Sequence, residues 1–243
     1  MTGAHPGADD SRGERSGETA HVGTGGAWNP LGGLSDERIS LLRSYAGLLL
    51  ERNRVLNLVS RSLGPDDVWR HIEHCLALRL RRFPDGSHVV DWGSGGGLPA
   101  LPLAIALPHI AVTAVDSTLK KVTAVSEMAA ELGLDNVTAV HERAEAWRGS
   151  ADYSVSRATA PLAMLWRWHN RVLDPRRLRD EPEGGLGGYW LPGLIAFKGG
   201  KLVDEIKSLR KQRPQADHEV IELEPLLGPV CEGKVLISVV AAK

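Results

Sequence analysis

The chain has 243 residues, 42% of them hydrophobic and 24% charged, with a formal net charge of -1. That length accommodates one large domain with a small extension, and the near-neutral balance excludes a global field for nucleic acid, so any basic surface has to be local. Cys75 and Cys231 are far apart and lack metal-ligand spacing, which reads as reduced, partly buried thiols. No apolar run reaches the roughly 18 residues of a membrane span and no basic-then-apolar leader opens the chain, so the expected location is the cytoplasm.

Residues 1–33 hold nine glycines and almost no large apolar side chains, a composition that cannot offset its own ordering entropy and is expected to be disordered. A small helical N-terminal subdomain is expected over 34–86. Ser35 can cap a helix whose first turn carries Asp36 and Glu37, and Leu41, Leu42, Tyr45, Leu48 and Leu49 follow at helical spacing. A second helix is expected over 66–82, with Val68, Ile72, Cys75, Leu76 and Leu80 on its apolar face. These helices should pack beside a sheet and cover the mouth of its ligand site.

From His88 onward strands and helices alternate, predicting a mostly parallel sheet of seven strands with helices on both faces. The first strand, ending at Asp91, runs into Trp92-Gly93-Ser94-Gly95-Gly96-Gly97-Leu98-Pro99, a glycine-rich turn that opens a helix over 98–107. Such glycines tolerate tight turns and let backbone N–H groups approach a ligand. A second strand, 110–115, ends in Asp116, 23 residues after Gly93; a carboxylate there is placed to accept hydrogen bonds from ribose hydroxyls. Both features point to an adenosine-bearing cofactor at the carboxyl edge of the sheet. A dinucleotide fingerprint is broken because Leu98 stands at its third glycine, although G-x-G-x-x-A from Gly95 to Ala100 keeps a nicotinamide cofactor open. Asp91, beside the turn, favours a cationic or amino-bearing ligand, a description that fits S-adenosylmethionine.

Further along, a helix is expected over 119–132, strands over 137–141 and 153–156, and a helix carrying Leu162, Leu165, Trp166 and His169. A strand at 194–197, a helix after Lys201 and strands at 220–223 and 235–240 complete the sheet, while 176–189 reads as a mobile inserted loop. His71 and His74 are one helical turn apart, but a metal site needs further ligands and none are suggested. Seven tryptophans include Trp147, Trp166 and Trp168, which could stack on bases or, for at least two of them, pack in the core.

The runs Asn57-Leu58-Val59-Ser60, Arg70-His71-Ile72, the glycine turn through Pro99, Asp116-Ser117 with Lys120-Lys121, Ser156-Arg157-Ala158 and Phe197-Lys198-Gly199 occur in one order. With them the chain, from Ser35 to Lys243, resembles the bacterial small-subunit ribosomal RNA methyltransferases of the glucose-inhibited division B type. The resemblance implies a Rossmann-like S-adenosylmethionine-dependent methyltransferase domain over 87–243. It also implies transfer of a methyl group to guanine N7 of 16S ribosomal RNA. Cofactor contacts are implied at Gly93, Gly95, Leu98, Asp116, Ala144, Glu145 and Arg157. Arg157 and Lys198 become the residues that orient base, cofactor or RNA, with no general base required because N7 carries a free lone pair. Lys120, Lys121, Arg143, Arg157, Lys198 and Lys201 would neutralise phosphates of 16S RNA or the 30S particle; a monomer suffices. The family often has aspartate at the position of His74 and a smaller apolar residue at Trp92. The rival readings are a methyltransferase of another substrate, a nicotinamide-dependent oxidoreductase and a catalytically silent RNA-binding module.

Overall fold

In a computed structural model the protein is described over residues 28–157, 159–173, 188–200 and 202–241. Most of the expected tail, most of the 176–189 insertion, Ala158 and Lys201 lie outside the described residues. Helix α1, Asp36–Leu56, begins where Ser35 Oγ accepts a hydrogen bond from the Arg38 N–H and ends at Asn57, whose φ of 53° breaks it. Leu42, Tyr45, Leu49 and Asn53 form its buried face.

Helix α2, Pro65–Leu76, starts with proline at its first position and the Asp67 carboxylate accepting from the Gly64 N–H. It is shorter than the predicted 66–82, because the chain tightens into a 3-10 turn at Ala77–Leu80 and becomes extended at Arg81. Two constraints stop it. Pro84 disfavours helical backbone at Phe83, and the Arg82 backbone is taken into pairing with Gly188 and Trp190.

The sheet contains β1 (His88–Trp92), β2 (Ala111–Asp116), β3 (Val137–His141), β4 (Tyr153–Arg157), β5 (Gly193–Gly199), β6 (Ala216–Glu222) and β7 (Lys234–Ala241). Its spatial order is β3-β2-β1-β4-β5-β7-β6, with the first five strands parallel and β7 antiparallel to both neighbours. The strand order therefore reverses between β1 and β4, where open α/β sheets leave a crevice. Strand β6 begins four residues before the predicted 220–223 because Asp217, His218 and Glu219 hide a half-exposed edge from any apolar pattern.

Helices α3 (Ala100–Ala106), α4 (Leu119–Glu131), α5 (Leu162–Val172) and α6 (Leu202–Gln212) connect the strands, and a short α7 (Glu224–Leu227) was not anticipated. Period-two alternation divides the core. Val89, Val155, Ile195 and Phe197 join α1, α2, α3 and α4 on one side. Val90, Trp92, Leu194 and Ala196 join α5 and α6 on the other. Both cysteines are buried, Cys75 in the first of these clusters at 1% exposure, with its thiol pushed up to about 12 by burial. The N-terminal helices thus share one apolar core with the sheet.

His169 on α5 is completely enclosed, with Nδ1 2.8 Å from the Ser154 hydroxyl, and burial pushes its imidazole down to about 3. Such a group stays neutral when folded but takes a proton when unfolded below about pH 6.5. Its share of stability is present above that pH and is lost as pH falls towards 3. The melting temperature of the parent relative to His169→Gln should therefore drop between pH 7.5 and 5; a difference that stays constant with pH would contradict the assignment.

Candidate functional site

The glycine turn is held from three sides. Gly93, Gly95 and Gly97 all have positive φ, at 70°, 57° and 91°, values open to glycine at little cost. From β2, the Val115 carbonyl accepts from both the Gly93 and Ser94 N–H groups at 2.8 and 3.1 Å. Asp116 takes the Gly95 N–H on one carboxylate oxygen at 3.0 Å and the Thr118 N–H on the other at 2.8 Å. From α1, the buried Tyr45 hydroxyl donates to the Gly96 carbonyl at 2.9 Å.

The glycines also serve packing within the protein. A Cβ on Gly93 would meet Thr159 at 2.3 Å, and one on Gly96 would meet Leu49 at 2.7 Å. Thr159 itself donates to the Trp92 carbonyl at 2.9 Å, locking the exit of β4 against the exit of β1.

Above this turn lies a crevice of about 570 Å³ at the carboxyl edge of β1, β2 and β3. Of the residues proposed from sequence, it gathers Gly93, Gly95, Leu98, Asp116, Ala144, Glu145 and Arg157, together with Lys121 and Arg143. Ala144 and Glu145 form the turn after β3, and their carbonyls are held by the Arg171 guanidinium, at 2.8 Å for Ala144. Their N–H groups have no hydrogen-bond partner among the described residues. Arg157, at the end of β4, donates to His71 Nδ1 at 3.3 Å. Burial and the Arg157 charge both lower the His71 pKa, which favours the neutral ring able to accept that bond. His71 thus ties α2 to the end of β4.

Several site residues lay beyond the sequence reading. Leu58, Val59, Ser60 and Leu63, between α1 and α2, form one wall of the crevice, and Ser117, Thr118, Glu142 and Thr159 add polar groups. The signal was faint because single hydroxyls at strand exits have no spacing pattern. Trp92 is fully buried and meets Trp147 and Trp168 edge to face at 5.5 and 6.1 Å. Trp166 and Trp168 belong to that same core, as expected of at least two of the tryptophans.

One expectation changes. Asp91 is fully buried and is not among the residues lining the crevice, and its carboxylate accepts the Ala100 N–H at 3.1 Å, capping α3. It serves the fold where a ligand contact was expected, and the predicted helix start at 98 moves to Ala100 because that cap and the preceding Pro99 define the first turn. Lys198, expected to orient base, cofactor or RNA, stands in the cavity next to the crevice. Its ammonium group is bound there by the Ala160 carbonyl and the Glu205 carboxylate, both at 2.7 Å. Lys201 lies outside the described residues. Among the described residues no group of three metal-ligating side chains occurs, and no helix is long and apolar enough to cross a membrane.

A family model described as rRNA small subunit methyltransferase G, GidB, matches residues 38–179. The chain belongs to this family. Its relatives include the ribosomal RNA small subunit methyltransferase G of Salinibacter ruber, 46% identical over 202 residues, covering 83% of this chain and 91% of the relative. The protein of that name from Chlorobium luteolum is 38% identical over 197 residues, covering 79% and 76%. Among solved structures, the ribosomal protein L11 methylase of Lactobacillus delbrueckii subsp. bulgaricus superposes with a TM-score of 0.51 at 16% identity, covering 72% of this chain and 80% of that one. The [4+2]-cyclase SpnF reaches the same TM-score at 15% identity, covering 86% and 97%. Those two likenesses show the fold alone; the family match spans the glycine turn, Asp116, the turn after β3 and Arg157.

Burial pushes the Asp91 carboxyl up to about 7, against the opposing pull of the Ala100 N–H and Arg157. Since this folded value lies above the unfolded one near 3.9, its contribution to stability falls as pH rises from about 4 and is gone above 7. Asp91→Asn keeps an acceptor for α3 but cannot ionise. Its melting temperature relative to the parent should therefore improve between pH 5 and 8.5. A constant or worsening difference would refute the buried, proton-bearing cap.

Proposed function

We propose that this chain transfers a methyl group from S-adenosylmethionine to N7 of a guanine in the 16S RNA of the small ribosomal subunit. The carrying observation is the coincidence of the family match with a crevice built from the family-specific segments. When bound, S-adenosylmethionine supplies an electrophilic methyl carbon on a sulfonium centre. Ligand chemistry fits the residues present. Each Asp116 oxygen uses only one lone pair on the backbone, leaving capacity for ribose hydroxyls. The unpartnered Ala144 and Glu145 N–H groups suit an adenine edge, and the Asp116, Glu142 and Glu145 carboxylates suit a cationic ligand.

The protein has little proton chemistry to perform, because guanine N7 exposes a lone pair without deprotonation. Its work is alignment and exclusion of water. Arg157, paired with a neutral His71 and with no carboxylate partner among the described residues, orients reactants at the β4 exit. The Trp92, Trp147 and Trp168 rings exclude water from beneath the site. Lys121 and Arg143 at the rim supply a local basic edge for RNA phosphates, making binding salt-dependent. The working compartment is then the bacterial cytoplasm, where 30S particles are assembled.

The test is methylation of naked 16S RNA and of 30S particles from a strain lacking the enzyme, using isotopically labelled donor and mapping of the modified base. One labelled N7-methylguanine is expected; label on protein or on another base would overturn the assignment. Arg157→Ala should lower turnover about a hundredfold, the scale of a small misplacement, with unchanged melting temperature. Full turnover in that variant would remove Arg157 from the site.

A further inference from the structure

The face of the sheet covered by α5 and α6 is far more basic than the chain as a whole. Residues 206–216 hold Lys207, Arg210, Lys211 and Arg213 with no Asp or Glu, and α5 carries Arg167 and Arg171 with none either, in a chain of formal net charge -1. The two helices lie side by side. Leu165 and Trp166 share a core with Ile206 and Leu209, and Glu205 accepts the Leu162 N–H at 2.6 Å, aligning the helix starts. Arg167, Lys207, Arg210, Lys211 and Arg213 are all exposed, and none of them makes an ion pair among the described residues.

The helix dipole explains part of this set. Cations in the last turn of a helix are stabilised by its carbonyls, an effect confined to that turn, which covers Arg210 and Lys211. Lys207, a turn earlier, and Arg167, in the middle of α5, lie beyond its reach. A hollow of about 350 Å³ adjoins the end of α6, lined by Asn170, Gln212, Arg213 and Gln215 with the buried Trp166 in its wall. Gln212 donates to Ser208 Oγ at 3.3 Å, whereas the Asn170 and Gln215 carboxamides have no hydrogen-bond partner among the described residues. Helix α5 joins this face to the crevice, because Trp168 lines the crevice and Arg171 holds the Ala144 carbonyl of its wall at 2.8 Å.

We infer that the α5–α6 face is a second docking surface for ribosomal RNA, in which Arg167, Lys207, Lys211 and Arg213 neutralise backbone phosphates and Asn170 and Gln215 bind ribose 2′-hydroxyls. The inference rests on the proposed function and adds where a long RNA is held while its target base is presented at the carboxyl edge. Cations without ion-pair partners meet phosphates with no pair to break first, and each phosphate neutralised releases counterions. A carboxamide offers both donors and an acceptor, as a 2′-hydroxyl does, and that hydroxyl is what separates RNA from DNA at a contact. An acidic protein surface would match the cations but leave the carboxamide-lined hollow without a purpose, so RNA is the partner the whole set fits.

The experiment measures binding of the full chain to naked 16S RNA, to 30S particles and to matched RNA and DNA oligonucleotides over a salt series. S-adenosylhomocysteine affinity and guanine methylation are measured in parallel. Combining Lys207→Gln, Lys211→Gln and Arg213→Gln should weaken RNA binding about tenfold and reduce the slope of log affinity against log salt by about 2, with S-adenosylhomocysteine affinity within about twofold of the parent. Lys211→Gln alone, on an exposed turn, should reduce that slope by about 0.7. Arg43→Glu, an exposed change on α1, should alter neither quantity. Asn170→Ala with Gln215→Ala should weaken binding of the RNA oligonucleotide and leave that of the DNA oligonucleotide as it was. Parental affinity and slope in the triple variant, or an equal loss in Arg43→Glu, overturn the docking surface. A loss on 30S particles but not on naked RNA overturns RNA as its partner in favour of an acidic protein. Equal losses on RNA and DNA overturn the role given to the carboxamides. A parental chain that binds RNA through this face yet methylates no guanine overturns the proposed function and leaves the docking surface standing.

Discussion

Asp116 carries the largest mechanical load in the site, because a glycine turn with three residues at positive φ has no intrinsic preference for the shape it adopts here. Hydrogen bonds to a charged acceptor contribute about 1.5–3 kcal/mol each, against about 0.5–1.5 kcal/mol for neutral pairs. The Gly95 N–H that Asp116 holds therefore outweighs the neutral Tyr45 bond to Gly96, while the Thr118 N–H fixes the carboxylate itself. One carboxylate fixes the turn and faces the crevice at once. The glycines add a second constraint, since Thr159, Leu49 and Leu101 occupy the volume where their side chains would stand. A substitution there disturbs β4, α1 or α3 before it reaches any ligand.

This coupling explains why the N-terminal helices belong to the catalytic unit. Tyr45 and Leu49 press on the turn from α1, the segment after α1 forms a wall of the crevice, and His71 on α2 reaches Arg157 at the end of β4. The reversal of strand order between β1 and β4 then divides the carboxyl edge into two adjoining hollows. A shared sheet also explains how a cyclase can superpose on this chain while the family match carries the chemistry.

Much of this was legible in residue order. Ser35, the apolar spacing of α1, and the pairing of Gly93 with Asp116 announce their own geometry, because capping and strand-end carboxylates act over a few residues. Ala144, Glu145 and Arg157 were placed by family resemblance, and the crevice does bring them together. What failed depended on contacts distant in sequence. Nothing near Asp91 announces that it caps α3. Helix α2 ends early because Arg82 pairs with residues more than a hundred positions away. Strand β6 was half hidden because an edge strand need not be apolar.

The central claim is that the turn at 93–98 and the Asp116 carboxylate together cradle a methyl-donating nucleoside. A crystal structure with S-adenosylhomocysteine tests it most directly. The account predicts ribose hydroxyls on Asp116, the adenine beside the Ala144 and Glu145 backbone, and the sulfur facing the partition of His71, Arg157 and Thr159. A ligand bound elsewhere, or with its sulfur turned away from that partition, would contradict it.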